Sequence, residues 1–294
     1  MIGYIFILIT VFLDTLKGGC SKKLSTSLNC LADNINLCFV RNTVCVVLGY
    51  FIILASGGSL HLPAIGWIIC FFYGVGMTVN YMTWLMVLKS DAYMLANATV
   101  KSSFVIAVVF GIFLFGERFT LAKFAAFLLI VAALYFMMRY QVKQFKKPGT
   151  MGILLLVAVF LSAGLNSVCQ KAFTSYLPEC SPKLLTFYTF VISCAILAFL
   201  RPFFKAKACA AVQAKNIVRF IPYILIMGTA LYGATFFQTA ANKYADAVIL
   251  YPLNSALSVI SASIMSWAVF GERPSRDSIA GAFLVVAALV LSRF

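Results

Sequence analysis

The sequence predicts an all-α membrane protein whose ten transmembrane helices form two inverted five-helix repeats. Composition is the first observation behind this fold class: the 294 residues are 63% hydrophobic and only 11% charged, whereas a soluble domain carries about 25% charged residues. Apolar runs long enough to cross the hydrocarbon core of a bilayer follow one another along the whole chain. The third observation is an internal repeat that relates the two halves.

Charged or turn-forming residues separate the predicted spans. No basic segment precedes the first span, so we expect a membrane helix there and not a cleaved signal peptide. The basic segment 201–219 is expected to lie flat on the membrane surface as an amphipathic helix. No polar stretch is long enough to fold as an attached soluble domain. The predicted spans are residues 2–22, 34–55, 64–87, 92–114, 121–138, 151–173, 183–203, 218–242, 247–269 and 277–293.

An internal repeat determines the predicted architecture. Residues 90–136 align with residues 245–291 at a constant offset of 155, without gaps and with 15 of 47 pairs identical. The identical pairs include the run Phe-Gly-Glu-Arg, found at 115–118 and again at 270–273. Since each repeat has an odd number of helices, the second copy enters the membrane from the opposite side, and the repeats are inverted. The predicted organisation is a first repeat at 1–138, a basic linker loop at 139–150 and a second repeat at 151–294.

The two Phe-Gly-Glu-Arg segments each close a helix and precede an Ala/Gly-rich one. In this they resemble the drug/metabolite transporter superfamily, and specifically its EamA-type ten-helix branch. The resemblance covers essentially the whole chain. It implies a transporter with a central cavity lined mainly by the first four helices of each half, and it does not imply a particular substrate. The family favours a proline in the fourth helix of each repeat; Pro252 supplies it in the second, but Asn97 replaces it in the first.

The basic residues of the loops predict the orientation of the chain. The loops that follow the odd-numbered helices contain 14 lysines and arginines, and the opposite face contains six. Because loops rich in Lys and Arg stay in the cytoplasm, we expect both termini outside.

Four charged residues fall inside predicted spans: Asp14 and Lys17 in helix one, Arg41 in helix two and Lys101 in helix four. Each costs about 2.5–3.5 kcal/mol on insertion scales and normally faces a cavity. At a rise of about 1.5 Å per residue, all four reach one layer near the membrane midplane. Transporter sites lie at that depth, between the repeats.

The charged groups belong to the first repeat, and the second repeat offers neutral hydrogen-bonding groups at the matching positions. One carboxylate against three cations predicts an anionic or zwitterionic ligand, such as an amino acid, whose carboxylate or phosphate an arginine can bind bidentately. Tyr251, Pro252 and Asn254 are expected to form a broken-helix segment with free backbone carbonyls. The predicted substrate-binding residues are Asp14, Lys17, Arg41, Asn80, Tyr81, Trp84, Asn97, Lys101, Asn166, Gln170, Gln238, Asn242, Tyr251 and Asn254.

A purely structural interpretation of these charges stays open. Asp14 and Lys17 can neutralise each other within one helix, and Lys101 or Arg41 can form a fixed ion pair with Asp14 across helices. Glu117 and Glu272 of the repeated motif are interpreted as structural residues at helix junctions.

The leading functional hypothesis is a secondary active transporter of the cell (inner) membrane that exports a small polar metabolite by alternating access. One alternative is a proton-coupled exporter of cationic drugs, because Asp14 is placed like the acidic residue in helix one of the small multidrug-resistance relatives. Further alternatives are a lipid-linked sugar flippase and a non-transporting membrane subunit. Coupling to protons and the choice between monomer and homodimer stay open.

Several functional classes are disfavoured by what the sequence lacks. No Walker-type phosphate loop is present, so ATP is not expected to drive transport directly. An enzyme is not expected, because a single histidine and one deep carboxylate make a poor catalytic set. No Cys-x-x-Cys pair accompanies His61, so we expect no metal and no cofactor. The basic residues form no stripe on a soluble domain, which argues against nucleic acid as a partner.

Overall fold

The computed structural model describes residues 2–25, 31–88, 99–117, 120–142, 150–204, 214–270 and 276–291. These residues are almost entirely helical, and they confirm the predicted all-α fold. The helices are α1 (Ile2–Ser25), α2 (Leu31–Ala55), α3 (Ala64–Leu88), α4 (Phe104–Phe115), α5 (Leu121–Val142), α6 (Thr150–Tyr176), α7 (Pro182–Phe204), α8 (Ala214–Ala241), α9 (Ala247–Phe270) and α10 (Arg276–Leu291).

Each predicted span corresponds to one of these helices. Six of them (α1, α2, α3, α6, α7 and α8) are individually long and apolar enough to cross a membrane, and the other four contain shorter apolar stretches. The middle of the predicted amphipathic segment 201–219, residues 205–213, lies outside the described residues, while its two ends belong to α7 and α8. The start of the predicted span 92–114 also lies outside the described residues.

Helix four contains a break that the sequence did not predict. The apolar helical segment Thr99–Phe115 is interrupted at Ser103, where the N–H groups of Ser103 and Ile106 bond to carbonyls three residues earlier. The Ser103 hydroxyl also donates to the Val100 carbonyl at 2.7 Å. Bonds of this type tighten the helix locally into a 3₁₀ turn, and the first of them closes a turn over residues 100–103 that contains Lys101.

The predicted break around Tyr251, Pro252 and Asn254 is wrong, because α9 continues through Pro252. A proline removes one backbone donor and with it the hydrogen bond to the carbonyl four residues earlier. Pro252 lies close to the N-terminal end of α9, where only the Val248 carbonyl loses its partner. The helix tolerates this single loss.

The most extensive helix contacts join one repeat to the other. α1 packs against α8, α3 against α6, α2 against α7 and α5 against α10. Each of these pairs combines one helix from the first half with one from the second. Any cavity at the centre of the molecule is therefore bounded by both repeats.

Two glycines show how closely the repeats mirror each other. A Cβ added to Gly74 in α3 would lie 2.7 Å from the Ile192 side chain of α7 and 3.2 Å from a backbone carbonyl oxygen. A Cβ added to Gly228 in α8 would lie 2.7 Å from the Val44 side chain of α2, again with a carbonyl oxygen at 3.2 Å. The same close approach thus occurs twice, once on each side of the approximate twofold axis.

The glycine of the repeated motif ends α4 and turns the chain. Gly116 has a φ of 62°, a left-handed conformation that glycine adopts without steric cost. The N–H of Glu117 bonds back to the Gly111 carbonyl at 3.2 Å, which satisfies one of the free carbonyls at the helix end. The Glu117 carboxylate lies between Gly111 of its own helix and Ala247 of α9, since a Cβ added to Gly111 would come within 3.0 Å of the carboxylate and 3.3 Å of Ala247.

Glu117 binds the start of α9 in the other repeat. Its carboxylate accepts the backbone N–H groups of Ala247 at 2.8 Å and Val248 at 3.1 Å, where the helix dipole favours a negative charge. The ammonium of Lys171 in α6 lies 2.7 Å from the same carboxylate, and both side chains are at most 10% exposed. The structure supports the interpretation of Glu117 as a structural residue, and it shows that the contact joins the two repeats.

We expect Gly228→Ala to destabilise the fold, because the new methyl group overlaps Val44 and the nearby backbone leaves little room to adjust. Overpacking of this kind costs about 1–3 kcal/mol. Thermal unfolding of the purified protein in detergent should show a lower midpoint. Gly18→Ala is the matched control, since a Cβ at Gly18 meets nothing within 4 Å. Equal midpoints for the two variants would contradict the close packing of α8 on α2.

Replacing Glu117 should lower stability in a graded way. Glu117→Gln keeps one oxygen for the α9 N–H groups but loses the ion pair. Glu117→Ala leaves the helix end without its acceptor and leaves Lys171 its longer bond to the Ala245 carbonyl at 3.4 Å. Removing one partner of a buried ion pair costs about 3–5 kcal/mol. Unfolding midpoints should therefore fall in the order wild type, Gln, Ala. Glu179→Gln, an exposed carboxylate on the same face, serves as control, and an unchanged Ala variant would refute this role.

Candidate functional site

A cavity of about 180 Å³ lies between the two repeats, at the level of the charged residues of α1. Its described walls come from α1, α3 and helix four on one side and from α6, α8 and α9 on the other. Of the residues proposed from the sequence, those that line this cavity are Asp14, Lys17, Asn80, Tyr81, Lys101, Asn166, Gln170, Gln238, Tyr251 and Asn254.

Asp14 and Lys17 form an ion pair within α1. The Lys17 ammonium lies 2.5 Å from the Asp14 carboxylate, and the two side chains are 24% and 22% exposed. Residues three apart share one face of a helix, which is why both line the same cavity. The carboxylate of Asp14 is therefore already neutralised by its own helix.

Among the described residues, Lys101 is not part of an ion pair of this kind. It lines the cavity within the turn that ends at Ser103, and it is close enough to both Asp14 and Lys17 to interact with their charges. Within the described part of the chain, its ammonium makes no ion pair or hydrogen bond. A positive charge without a dedicated counter-charge thus faces the space between the repeats.

The second repeat supplies amide groups to the opposite wall. The side-chain oxygens of Asn166 and Asn254 are buried and have no hydrogen-bond partner. Gln170 donates to the Tyr73 hydroxyl at 2.7 Å, so α3 and α6 are joined at the edge of the cavity. Buried acceptors normally have donors, and two such oxygens therefore mark a place where a donor is missing.

Arg41 does not line the cavity, contrary to its predicted role as a direct ligand. Its guanidinium lies 4.0 Å from the centre of the Tyr81 ring, and Tyr81 does line the cavity. Arg41 also donates to the Asn42 side-chain oxygen at 3.1 and 3.3 Å, and Asn42 in turn donates to Ser193 at 2.9 Å. Arg41 is only 6% exposed, and a buried guanidinium needs several hydrogen-bonding and π partners. Its partners Asn42 and Tyr81 hold it behind the Tyr81 ring, as seen from the cavity.

Three other predicted residues are placed elsewhere. Trp84 does not line the cavity and packs in an apolar cluster around Val159, because the face of α3 that carries it turns towards α6. Asn242 lines a second cavity near the N-terminal face, since it follows the end of α8. Asn97 lies outside the described residues.

The structure adds lining residues that were not proposed from the sequence, among them Tyr73, Ser103 and Thr235. Ser103 is one of the identical pairs of the internal repeat, matching Ser258, and this pairing was an available signal. Tyr73 and Thr235 carry no signal in a single sequence, because polar residues of this kind also occur at packed helix interfaces.

Comparison with known proteins assigns the chain to a family. The model of the EamA-like transporter family matches residues 1–139 and again residues 150–294. A solved structure described as "Crystal structure of protein" superposes with a TM-score of 0.75 at 18% sequence identity, covering 99% of this chain and 94% of that chain. This likeness shows the fold alone. No curated protein matches the chain. Because the family match extends over both repeats, the protein belongs to the EamA-like transporter family, within the drug/metabolite transporter superfamily.

Proposed function

We propose that this protein is a secondary active exporter of the cell membrane, and that it moves a small polar metabolite with an anionic group, such as an amino acid, by alternating access. The proposal is carried by one observation: Lys101 faces the cavity between the repeats, while the carboxylate next to it is already paired with Lys17.

The charge of the cavity supports an anionic group on the ligand. Asp14, Lys17 and Lys101 together leave one positive charge uncompensated among the described lining residues, and Arg41 adds a second behind Tyr81. An unpaired charge away from bulk water costs several kcal/mol. A carboxylate or phosphate bound at Lys101 would remove that cost, and the bond would be charge-assisted.

The opposite wall supports a second, donating group on the same ligand. The free amide oxygens of Asn166 and Asn254 require donors, and an ammonium or hydroxyl group provides them. A zwitterion with its carboxylate towards Lys101 and its ammonium towards these amides satisfies both walls at once. This arrangement favours an amino acid over a simple carboxylate.

The size of the cavity favours a small ligand over a drug. Pockets for drug-sized molecules measure about 300–1,000 Å³, whereas this one measures about 180 Å³. The alternative of a proton-coupled cationic drug exporter is also weakened by Lys17, which occupies the carboxylate that such a drug would need.

Alternating access fits the way in which the repeats are joined. Both repeats line the cavity, and the main helix contacts run between them, so rocking of one repeat against the other would change access to the ligand. The apolar residues Ile7, Val11 and Leu250 belong to one buried core on the N-terminal side of the cavity. We propose that this core parts when the protein opens towards that face.

Lys101→Met should greatly weaken transport of an anionic or zwitterionic substrate, because it keeps the apolar stem of the side chain and removes only the charge. Loss of a charge-assisted bond of about 1.5–3 kcal/mol corresponds to an increase in KM of about 10-fold or more. Counterflow in proteoliposomes with pooled radiolabelled amino acids measures this. Lys183→Met, at the start of α7 and outside the cavity, is the control. Normal uptake by the Lys101 variant would rule out the site.

Asp14→Asn separates the two substrate classes. An anionic ligand should still bind, and should bind more tightly, because the variant makes the cavity more positive. A cationic drug coupled to protons should no longer be transported at all. Ligand binding per folded protein, measured by scintillation proximity with labelled amino acids, gives the first result, and efflux of ethidium gives the second. Retained ethidium efflux in Lys101→Met combined with its loss in Asp14→Asn would favour the drug exporter.

A further inference from the structure

A second cavity, of about 400 Å³, lies at the membrane face from which α1 starts. Its walls come from the starts of α1 and α5, the end of α6 and the turn between α8 and α9, and these helix ends all belong to that face. Among the described residues, no side chain lines both cavities. The polar side chains around this N-terminal-face cavity are Tyr4, Lys123, Lys171, Asn242, Lys243, Tyr244 and Asp246.

The N-terminal-face cavity has a surplus of positive charge. Lys123 is paired with Asp246, and Lys171 with Glu117 at 2.7 Å. The third ammonium, that of Lys243, has only backbone carbonyls, at 2.7 and 3.0 Å, as partners among the described residues. Three lysines and one carboxylate thus line the space, and an anion placed there would gain charge-assisted bonds.

The two cavities offer the same set of chemical groups. The central one combines Lys17 and Lys101 with one carboxylate and buried amide oxygens that lack donors. The N-terminal-face cavity combines its lysines with Asp246 and with Asn242, whose side-chain oxygen is likewise buried without a partner. A ligand whose anionic and donating groups suit one cavity therefore suits the other.

Buried apolar residues separate the two cavities along α1, whereas α9 brings them close together. Tyr4 and Asp14 are ten residues apart on α1, a distance of about 15 Å along the helix. Ile7 and Val11 fall between them and are buried. On α9, Tyr251 lines the central cavity and donates to the Ser167 carbonyl at 2.6 Å; its hydroxyl also lies beside Asn242 of the other cavity.

We propose that the N-terminal-face cavity is a second binding site for a small solute carrying a carboxylate or phosphate group, occupied before or after the central cavity. The proposal rests on the proposed transport of such a solute. An anion bound there competes with Asp246 for Lys123 and with Glu117 for Lys171. Since both ion pairs join the two repeats, a bound anion also weakens the contacts that hold the repeats together at this face.

Lysine acetylation provides a test that does not depend on transport. The full-length protein in phosphatidylcholine nanodiscs is treated with a water-soluble acetylating reagent, and modification of each lysine is followed by mass spectrometry. Inorganic phosphate at twice its dissociation constant should slow acetylation of Lys243 about threefold, relative to chloride at equal ionic strength. Lys183 is the matched control, because it lies on the same face but not in the cavity. Equal protection of both lysines would mean ionic screening and would overturn the proposal.

Variants identify the source of any protection. Lys123→Gln should remove the protection of Lys243 by phosphate, and undiminished protection would contradict the site. Lys101→Met should leave that protection unchanged even if it abolishes transport, so failure of the central site and failure of this one are distinguishable. Protection by phosphatidylglycerol in the nanodisc, with none by soluble phosphate, would assign the cavity to a lipid headgroup and refute a solute site.

Discussion

Charged groups within the hydrocarbon layer must be shielded by protein, and this constraint governs the arrangement of the helices. Asp14, Lys17, Arg41 and Lys101 all fall inside segments that the sequence predicts to span the membrane, where lipid offers no hydrogen bonds. Neither repeat alone encloses them, because the main helix contacts run from one half of the chain to the other. The packing of the two inverted repeats against each other therefore encloses the charged groups and lets them lie within a bilayer.

The fold was largely predictable from the sequence because its signals are physical and long-range. Apolar runs long enough to cross a bilayer predicted the helices, and the duplicated Phe-Gly-Glu-Arg run predicted the two repeats. The depth of Asp14 and Lys101 followed from the helical rise alone, and both line one cavity. The first copy of the motif also contains the Gly116 turn and the Glu117 contact, whereas Glu272 of the second copy lies outside the described residues.

The details of the candidate site were less predictable because they depend on side-chain direction between helices. Arg41 lies at the predicted depth but behind Tyr81, and depth says nothing about which way a side chain points. Pro252 suggested a break in α9, yet the break occurs at Ser103, where a hydroxyl and two short backbone bonds tighten helix four. A serine gives a weaker signal in the sequence than a proline. Serine changes the backbone only through hydrogen bonds, whereas the proline ring fixes the backbone directly.

Helix packing is alike in the two repeats, whereas the charged residues of the cavity are not. Gly74 and Gly228 make equivalent close contacts in the two repeats, since both must let a helix of the other half approach. Lys101 has no charged counterpart, because Ala256 takes its place in the second repeat. Packing between the halves is therefore preserved in duplicate, while the residues that face the cavity are free to differ between the copies.

The ion pair within α1 bears on how the chain is assembled. Asp14 and Lys17 neutralise each other without help from any other helix, so the first span carries no net charge in its middle when it leaves the translocon. Lys101 has no such companion in the described part of its own helix, and the carboxylate whose charge reaches it belongs to α1. Because Asp14 is already paired with Lys17, what helix four gains from a helix one already in the bilayer is a polar wall beside Lys101, and the order of synthesis supplies that wall first.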